Sequence, residues 1–362
     1  MRRSIPFAVL AVLAISSVAA VSGEVRFEGA GATFPEPLYE RWVAEFQKLH
    51  PDVKIDYQGI GSGGGLKAIT EGSVQFAGSD PPPTKDDIVK VGGPENLVVF
   101  PTCAGAVVPA YNVPGVTRDL SFSGELLADI YLGKVTKWND PRIVALNPGA
   151  GLPNLAIIPV WRTDGSGTNA VFTAYLADCS DEFRQKVGSG KQVKWPVGQG
   201  GKGGVGPGQV IQQTEGTIGY LELNYARKNR IPFGAVENEG GKFLKATPKS
   251  VAAAGDAAAG DMTGPILAGR IGRQPGADVY PIAAFTYVLL RKDMSNCKSR
   301  EQAQAVLDFL WWAVHEGQKD AAEMDYAPLG KAVQGKASKL LQGVTYKGER
   351  LQTRAEHDRT PK

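Results

Sequence analysis

Short apolar runs alternate along this chain with stretches in which apolar residues recur every three or four positions. Residues 25–28 read as a strand, and 37–50 follow as a helix through Leu38, Trp42, Phe46 and Leu49. Residues 53–57 alternate apolar and polar as a half-buried strand does. Residues 66–71 then predict a helix, and 73–77 a short strand halted at Pro81-Pro82-Pro83. Further on, 155–161 is a strand-like run, with Val171, Phe172, Tyr175 and Leu176 at helical spacing behind it. Residues 216–221 read as a strand, and 302–315 as an amphipathic helix carrying Val306, Phe309, Leu310 and Ala313. Strand, loop and helix repeating in this way predict an α/β fold with helices on largely parallel strands. Two long apolar runs, 97–111 and 280–290, predict crossings between two lobes. The first lobe would take 23–100, the second 101–280, and the chain would return to the first over 281–345. From 346 to 362 the chain is charged and poor in apolar residues, which predicts a frayed surface tail.

The start of the chain says where the protein works. Arg2 and Arg3 precede an apolar stretch that ends in small residues, and Val18-Ala19-Ala20 fits a signal-peptidase site. The expectation is a leader over 1–22, cleaved near Ala20, and export to the periplasm; no cysteine stands at the cleavage point to take a lipid. Lysine and arginine (40) nearly balance aspartate and glutamate (37), so nothing resembles a nucleic-acid or membrane footprint, and any anion affinity must be built locally. The three cysteines lack metal spacing. Cys103 lies in an apolar run and reads as core. Cys179 and Cys297 both sit at polar element ends, leaving a disulfide between them open, since spacing does not decide connectivity.

Candidate chemistry concentrates at strand-to-helix junctions. Arg162-Thr163-Asp164-Gly165-Ser166-Gly167-Thr168 follows a strand and opens a helix. The first N–H groups of a helix have no intrahelical partner, so they form an anion cradle, here with two hydroxyls and a guanidinium beside them. Loops of similar character stand at 29–35, with Thr33 and Phe34, and at 59–65, with Ser62; Asp80 follows a third strand. Individually, the hydroxyls could be helix caps, Arg162 with Asp164 a surface ion pair and Asp80 a turn residue. Their coincidence points to a small oxyanion. The glycine-rich stretch 198–208 reads as a mobile loop with a solvated Lys202. Gly59-Ile60-Gly61-Ser62-Gly63-Gly64 also matches a dinucleotide fingerprint, but an exported protein meets little nicotinamide cofactor, and hydroxyls crowd where that motif needs bare backbone. A P-loop fails, since no glycine stands four residues before the Gly201-Lys202 pair. The serines lie outside Gly-x-Ser-x-Gly and none of the three histidines is placed to serve them, which disfavours an enzyme.

Gly29-Ala-Gly-Ala-Thr-Phe-Pro, Tyr57-Gln-Gly-Ile-Gly-Ser, Gly78-Ser-Asp80, Asp129-Ile-Tyr-Leu-Gly-Lys-Val-Thr-Lys-Trp138, Arg162-Thr-Asp-Gly-Ser-Gly-Thr and Lys194-Trp-Pro-Val-Gly stand in an order that resembles the periplasmic phosphate-binding proteins of high-affinity phosphate ABC importers. The resemblance runs from about residue 29 to 329. It implies a two-lobe periplasmic binding-protein fold of type II-like layout, hinged on two crossover strands. It also implies a monomer without cofactor or metal, whose partners are inorganic phosphate and the importer's permease and ATPase. Carried over by motif, Thr33, Phe34, Ser62, Arg162, Ser166, Gly167 and Thr168 would donate to phosphate, Asp164 would hold Arg162, and Asp80 would be the acceptor. Where the family usually shows a second serine after Ser62, this chain has Gly63. A receptor for sulfate or molybdate, or a secreted phosphatase, is the alternative.

Overall fold

The computed structural model describes residues 23–269 and 271–353; the expected leader and cleavage site, and the last nine residues of the tail, lie outside them. The chain opens with β1 (Val25–Gly31), α1 (Glu36–Leu49), β2 (Val53–Gly59), α2 (Ser62–Glu71), β3 (Phe76–Ser79) and α3 (Lys85–Lys90). β4 (Leu97–Asn112) carries it into a second unit. There follow β5 (Ser121–Phe122), α4 (Gly124–Tyr131), α5 (Pro141–Leu146), β6 (Ile158–Arg162), α6 (Gly167–Cys179) and α7 (Asp181–Lys186). β7 (Gln199–Gly201), α8 (Gly206–Gln213), β8 (Thr217–Glu222), α9 (Leu223–Lys228), β9 (Ala235–Glu237), β10 (Phe243–Leu244) and α10 (Pro248–Ala258) come next. β11 (Ala283–Arg291) leads back, and α11 (Arg300–Val314), α12 (Gln318–Glu323), α13 (Lys331–Leu341), β12 (Thr345–Tyr346) and β13 (Glu349–Arg350) complete the described chain.

The main sheet has eight strands in the order β2-β1-β3-β11-β4-β8-β6-β7. Within each lobe the local strands are parallel, β2-β1-β3 in one and β8-β6-β7 in the other. Each crossover strand runs antiparallel to the lobe strand beside it, β11 to β3 and β4 to β8, and the two run antiparallel to each other because they cross between the lobes in opposite directions. β4 belongs to both lobes: Leu97 to Ala106 face β11, and Val107 to Asn112 face β8. The result is a mixed α/β, two-lobe fold on a curled open sheet.

Each lobe has an aromatic core at the spacing its helices and strands dictate. Trp42 and Phe46 of α1 and Phe309 of α11 pack with Phe27 and Phe76 on one side. Tyr131, Phe172, Trp195 and Tyr220 pack on the other, with Phe172 and Tyr220 stacked at 4.5 Å. Buried Trp42 and Trp138 each give their indole N–H to a carbonyl, of Gly317 and Gly216 respectively, so neither pays for an unmet donor.

Two expectations need correction, for α2 and for the tail, and the pairing of Cys179 with Cys297, left open above, is answered. α2 starts at Ser62 rather than 66, through three glycines that are poor helix formers. The backbone is crowded there: a Cβ on Gly65 would come within 2.6 Å of Gly31 Cα. Cys179 and Cys297 are both free thiols, one at the end of α6, the other between β11 and α11 in the other lobe. The tail is not frayed from residue 346 as far as the chain is described. β12 and β13 form a hairpin, with Leu351 and Thr353 buried and Asp293 accepting the Gly348 N–H and the Thr345 hydroxyl.

Candidate anion-binding site

The sheet brings the carboxyl ends of five strands to one cleft. Thr33 follows β1, Ser62 follows β2, Asp80 follows β3, Arg162 ends β6 and Glu222 ends β8. Ligands of open α/β sheets lie at such strand ends.

Arg162 is 4% exposed, and its geometry is fixed from several directions. Its backbone N–H donates to the Tyr220 hydroxyl at 2.9 Å. Nε and Nη2 donate to the two carboxylate oxygens of Asp164 at 2.8 and 2.5 Å, a forked pair, and Nη1 donates to Thr33 Oγ1 at 3.3 Å. Burial alone would disfavour an ionised Asp164, but the guanidinium more than offsets it and holds the carboxyl below its ordinary range. Asp164 also accepts the Gly203 N–H at 3.0 Å. A Cβ on Gly204 would lie 3.1 Å from Thr33. The glycine-rich stretch read as a mobile loop is therefore tied into the cleft: it begins as β7, paired with β6 through Val160 to Arg162.

Asp80 is 3% exposed and faces Arg162 from the other lobe. Its Oδ1 accepts the Thr286 hydroxyl at 2.9 Å; its backbone N–H donates to Ser62 Oγ at 3.2 Å, and the Ser62 hydroxyl lies 3.5 Å from Oδ2. Burial pushes its pKa up to about 7, with Glu222 adding to the rise and Thr286, Arg162 and Ser62 opposing it. Thr286 reaches Asp80 where the β11–β4 register shifts between Thr286 and Tyr287.

The remaining candidates present donors. Ser166 caps α6, accepting the Asn169 N–H at 3.1 Å, and the N–H groups of Gly167 and Thr168 in the next turn have no intrahelical acceptor. Gly167 has to be glycine: a Cβ there would meet Asp80 Oδ2 at 2.2 Å and Ser62 Oγ at 2.3 Å. Across the cleft, Tyr57 and Tyr326 donate to the carbonyls of Ala32 and Phe34, at 2.9 and 2.6 Å, and so fix the loop that carries the N–H groups of Thr33 and Phe34. The lobes touch directly: Gly63 N–H donates to Gly165 C=O at 3.0 Å, and Gly61 takes φ +82° beside Asp164 and Gly165. All nine positions singled out in the sequence thus converge on one cleft. Glu222, Thr286 and Gly203 went unnoticed. Only Glu222 left a local signal, an acid at the end of an otherwise apolar strand.

Among the described residues no group of three histidine, cysteine, aspartate or glutamate side chains could hold a metal ion, and no helix is long and apolar enough to cross a membrane.

Comparison with known proteins gives one consistent relationship. A family model described as a PBP superfamily domain matches residues 17–313. The phosphate-binding protein PstS of Pasteurella multocida is 39% identical over 90% of this chain and 92% of its own length. That of Haemophilus influenzae is 41% identical over 83% and 88%. Among solved structures, a high-affinity periplasmic phosphate-binding protein with bound phosphate superposes with a TM-score of 0.67 at 18% identity, covering 88% of this chain and 99% of that one. A putative phosphate ABC transporter substrate-binding protein from Clostridium perfringens, also with bound phosphate, gives 0.61 at 19% identity, over 84% and 100%. With strand order, cleft and relatives in agreement, the chain belongs to the PBP superfamily and, within it, to the PstS phosphate-binding proteins.

Proposed function

We propose that this protein binds inorganic phosphate in the cleft between its lobes and delivers it to the permease and ATPase of an ABC importer. It acts in the periplasm, as a receptor that does no chemistry on its ligand. The observation that carries the reading is a buried carboxylate set among donors. Arg162, the α6 N-terminus and the hydroxyls of Thr33, Ser62 and Ser166 suit any tetrahedral oxyanion. Asp80 suits one that brings a proton. Phosphate near neutral pH has a P–OH to donate, whereas sulfate has none and would set bare oxygens against a buried carboxylate. That opposition costs several kcal/mol, roughly a thousandfold preference or more.

Calorimetric titration tests this, using the mature protein stripped of anion by unfolding and refolding, with phosphate and then sulfate at neutral pH. Tight one-to-one phosphate binding with no sulfate heat is expected. Comparable sulfate binding would transfer the site to another oxyanion, and turnover of phosphate esters would remove the receptor reading.

A further inference from the structure

Thr286 is fully buried in the crossover strand β11, beside the point where β3 ends: Tyr287 pairs with Ser79, so Thr286 stands next to Asp80. On its other side the ladder is irregular. Thr286 pairs with Cys103 and Tyr287 with Pro101, which leaves Thr102 of β4 without an opposite residue, a bulge in a strand that crosses between the lobes. Two helices pin this bulge. Gln318 of α12 donates to the Thr102 carbonyl at 2.9 Å. The Thr102 hydroxyl donates to the Thr286 carbonyl at 3.2 Å and, its one proton given, accepts the Tyr39 hydroxyl of α1 at 2.6 Å. The backbone that carries the Thr286 hydroxyl is therefore held in place.

The two oxygens of Asp80 are in unlike positions. Oδ1 accepts the Thr286 hydroxyl at 2.9 Å. Among the described residues Oδ2 has only the Ser62 hydroxyl, at 3.5 Å, and it faces the N-terminus of α6, where a Cβ on Gly167 would meet it. A buried carboxylate with no cation bonded to it tends to take up a proton, and hydrogen bonds to its charged form work against that. Burial is the main influence on Asp80, and of the three groups opposing it, Thr286, Arg162 and Ser62, Thr286 opposes most.

We propose that Thr286 is the positioning residue of Asp80: its hydroxyl claims Oδ1, keeps the carboxylate an acceptor, and leaves Oδ2 alone to take the proton of the ligand. The inference rests on the phosphate reading above. An Asp80 that held a proton would be a donor, and sulfate would then fit the cleft as well.

Sulfate is the probe, because between about pH 5 and pH 9 it neither gains nor loses a proton and is favoured beside Asp80 only when the acid is protonated. Its affinity is measured by calorimetry over that range on refolded, anion-free protein. The chains compared are the parent, Thr286→Val, Thr286→Ser, Asp80→Asn and the valine–asparagine double variant. In the parent, sulfate binding should strengthen as pH falls through about 7, the value to which burial raises Asp80. In Thr286→Val, which keeps the shape and loses the hydroxyl, the same rise should appear about one pH unit higher, the roughly tenfold scale of one hydrogen bond to a charged group. Thr286→Ser should return the parental course. Thr286→Ala removes the same hydroxyl and stands in should the valine variant not fold. With Asp80→Asn in place, sulfate should bind without a pH course, and Thr286→Val should change nothing further.

The other ionisable groups around Asp80 are Arg162 and Glu222 from the second lobe, Cys103 of β4, Tyr39 of α1, Tyr57 of β2 and Tyr326. Burial lifts the thiol and the phenols above their ordinary values, which leaves Glu222 as the other carboxyl in view. A pH course that survives Asp80→Asn would therefore belong to Glu222 and would overturn the inference. Coincident courses in the parent and Thr286→Val overturn it too, as does sulfate that binds neither of them anywhere in the range. A parent that binds no phosphate at neutral pH removes the functional reading and this inference together; a tight phosphate binder with coincident courses loses only the latter.

Discussion

The two lobes furnish one cleft by different means. The first contributes Asp80, a carboxylate with no cation bonded to it, enclosed by Ser62 and Thr286 and raised to a pKa of about 7. The second contributes a full positive charge, with Asp164 bound to it through two hydrogen bonds. On the function proposed above, one side would weigh charge and the other would ask whether the ligand carries a proton. A receptor built on charge alone would take every oxyanion, and one built on the acceptor alone would attract none, so selectivity needs both faces closed together.

Removing Arg162 should break this division most severely. Arg162→Ala loses the forked guanidinium and leaves the half-buried Asp164 and the buried Glu222 without that cation, so phosphate affinity should fall roughly a thousandfold, with arsenate falling in parallel. Arg162→Lys should recover only a small part, since an ammonium cannot reproduce the fork. Calorimetry on both variants decides it, and an alanine variant that loses phosphate yet keeps arsenate would refute the role of charge. Gly167→Ala comes next. The added methyl would meet Asp80 and Ser62, wedging the lobes apart at their closest approach, and about a hundredfold loss of affinity is expected without loss of fold.

Asp80→Asn should sharpen the contrast rather than abolish binding. Phosphate affinity should drop about tenfold, while the preference over sulfate should drop considerably more. The same variant has a second signature in the anion-free protein. Because the folded-state pKa of Asp80 lies above its ordinary carboxylate value, the folded protein holds a proton that the unfolded chain has released between about pH 4 and pH 7. Stability contributed by this group is present at low pH and lost as pH rises through 7. Asp80→Asn should therefore melt several degrees above the parent at pH 8, with the gap closing toward pH 4; a gap independent of pH would show that Asp80 is not the titrating group. The smallest effect belongs to Lys191, whose ammonium reaches Asp87 of α3 across the cleft at 3.6 Å while its carbonyl accepts the Ser166 N–H. Lys191→Ala should cost only a few-fold in affinity, seen as faster phosphate release in stopped flow.

What could be read from the sequence was what lies close together along it. Arg162, Asp164, Ser166, Gly167 and Thr168 fall within seven consecutive positions, and one strand-to-helix turn is enough to bring them together. The strand–loop–helix alternation likewise located β1, β2, β6 and β8 to within a few residues. Contacts made by folding alone left little trace. Thr286 meets Asp80 across 206 positions, and its hydroxyl stands inside a strand that reads only as core. Glu222 meets Thr168 across 54. The 198–208 stretch looked mobile because glycine-rich composition signals freedom in an isolated chain, whereas here β6 and Asp164 supply the partners that order it. The charged tail misled for a related reason: a few apolar residues, Leu351 among them, suffice to seat a hairpin whose exposed positions carry the charge.

The bond between Gly63 N–H and Gly165 C=O joins the lobes through main-chain atoms only. A fastening of that kind is indifferent to side-chain identity, and a Cβ at position 63 would come no nearer than 3.4 Å to Gly165, so serine there should leave the clasp closed. Proline, which has no N–H to give, is the one residue guaranteed to unfasten it.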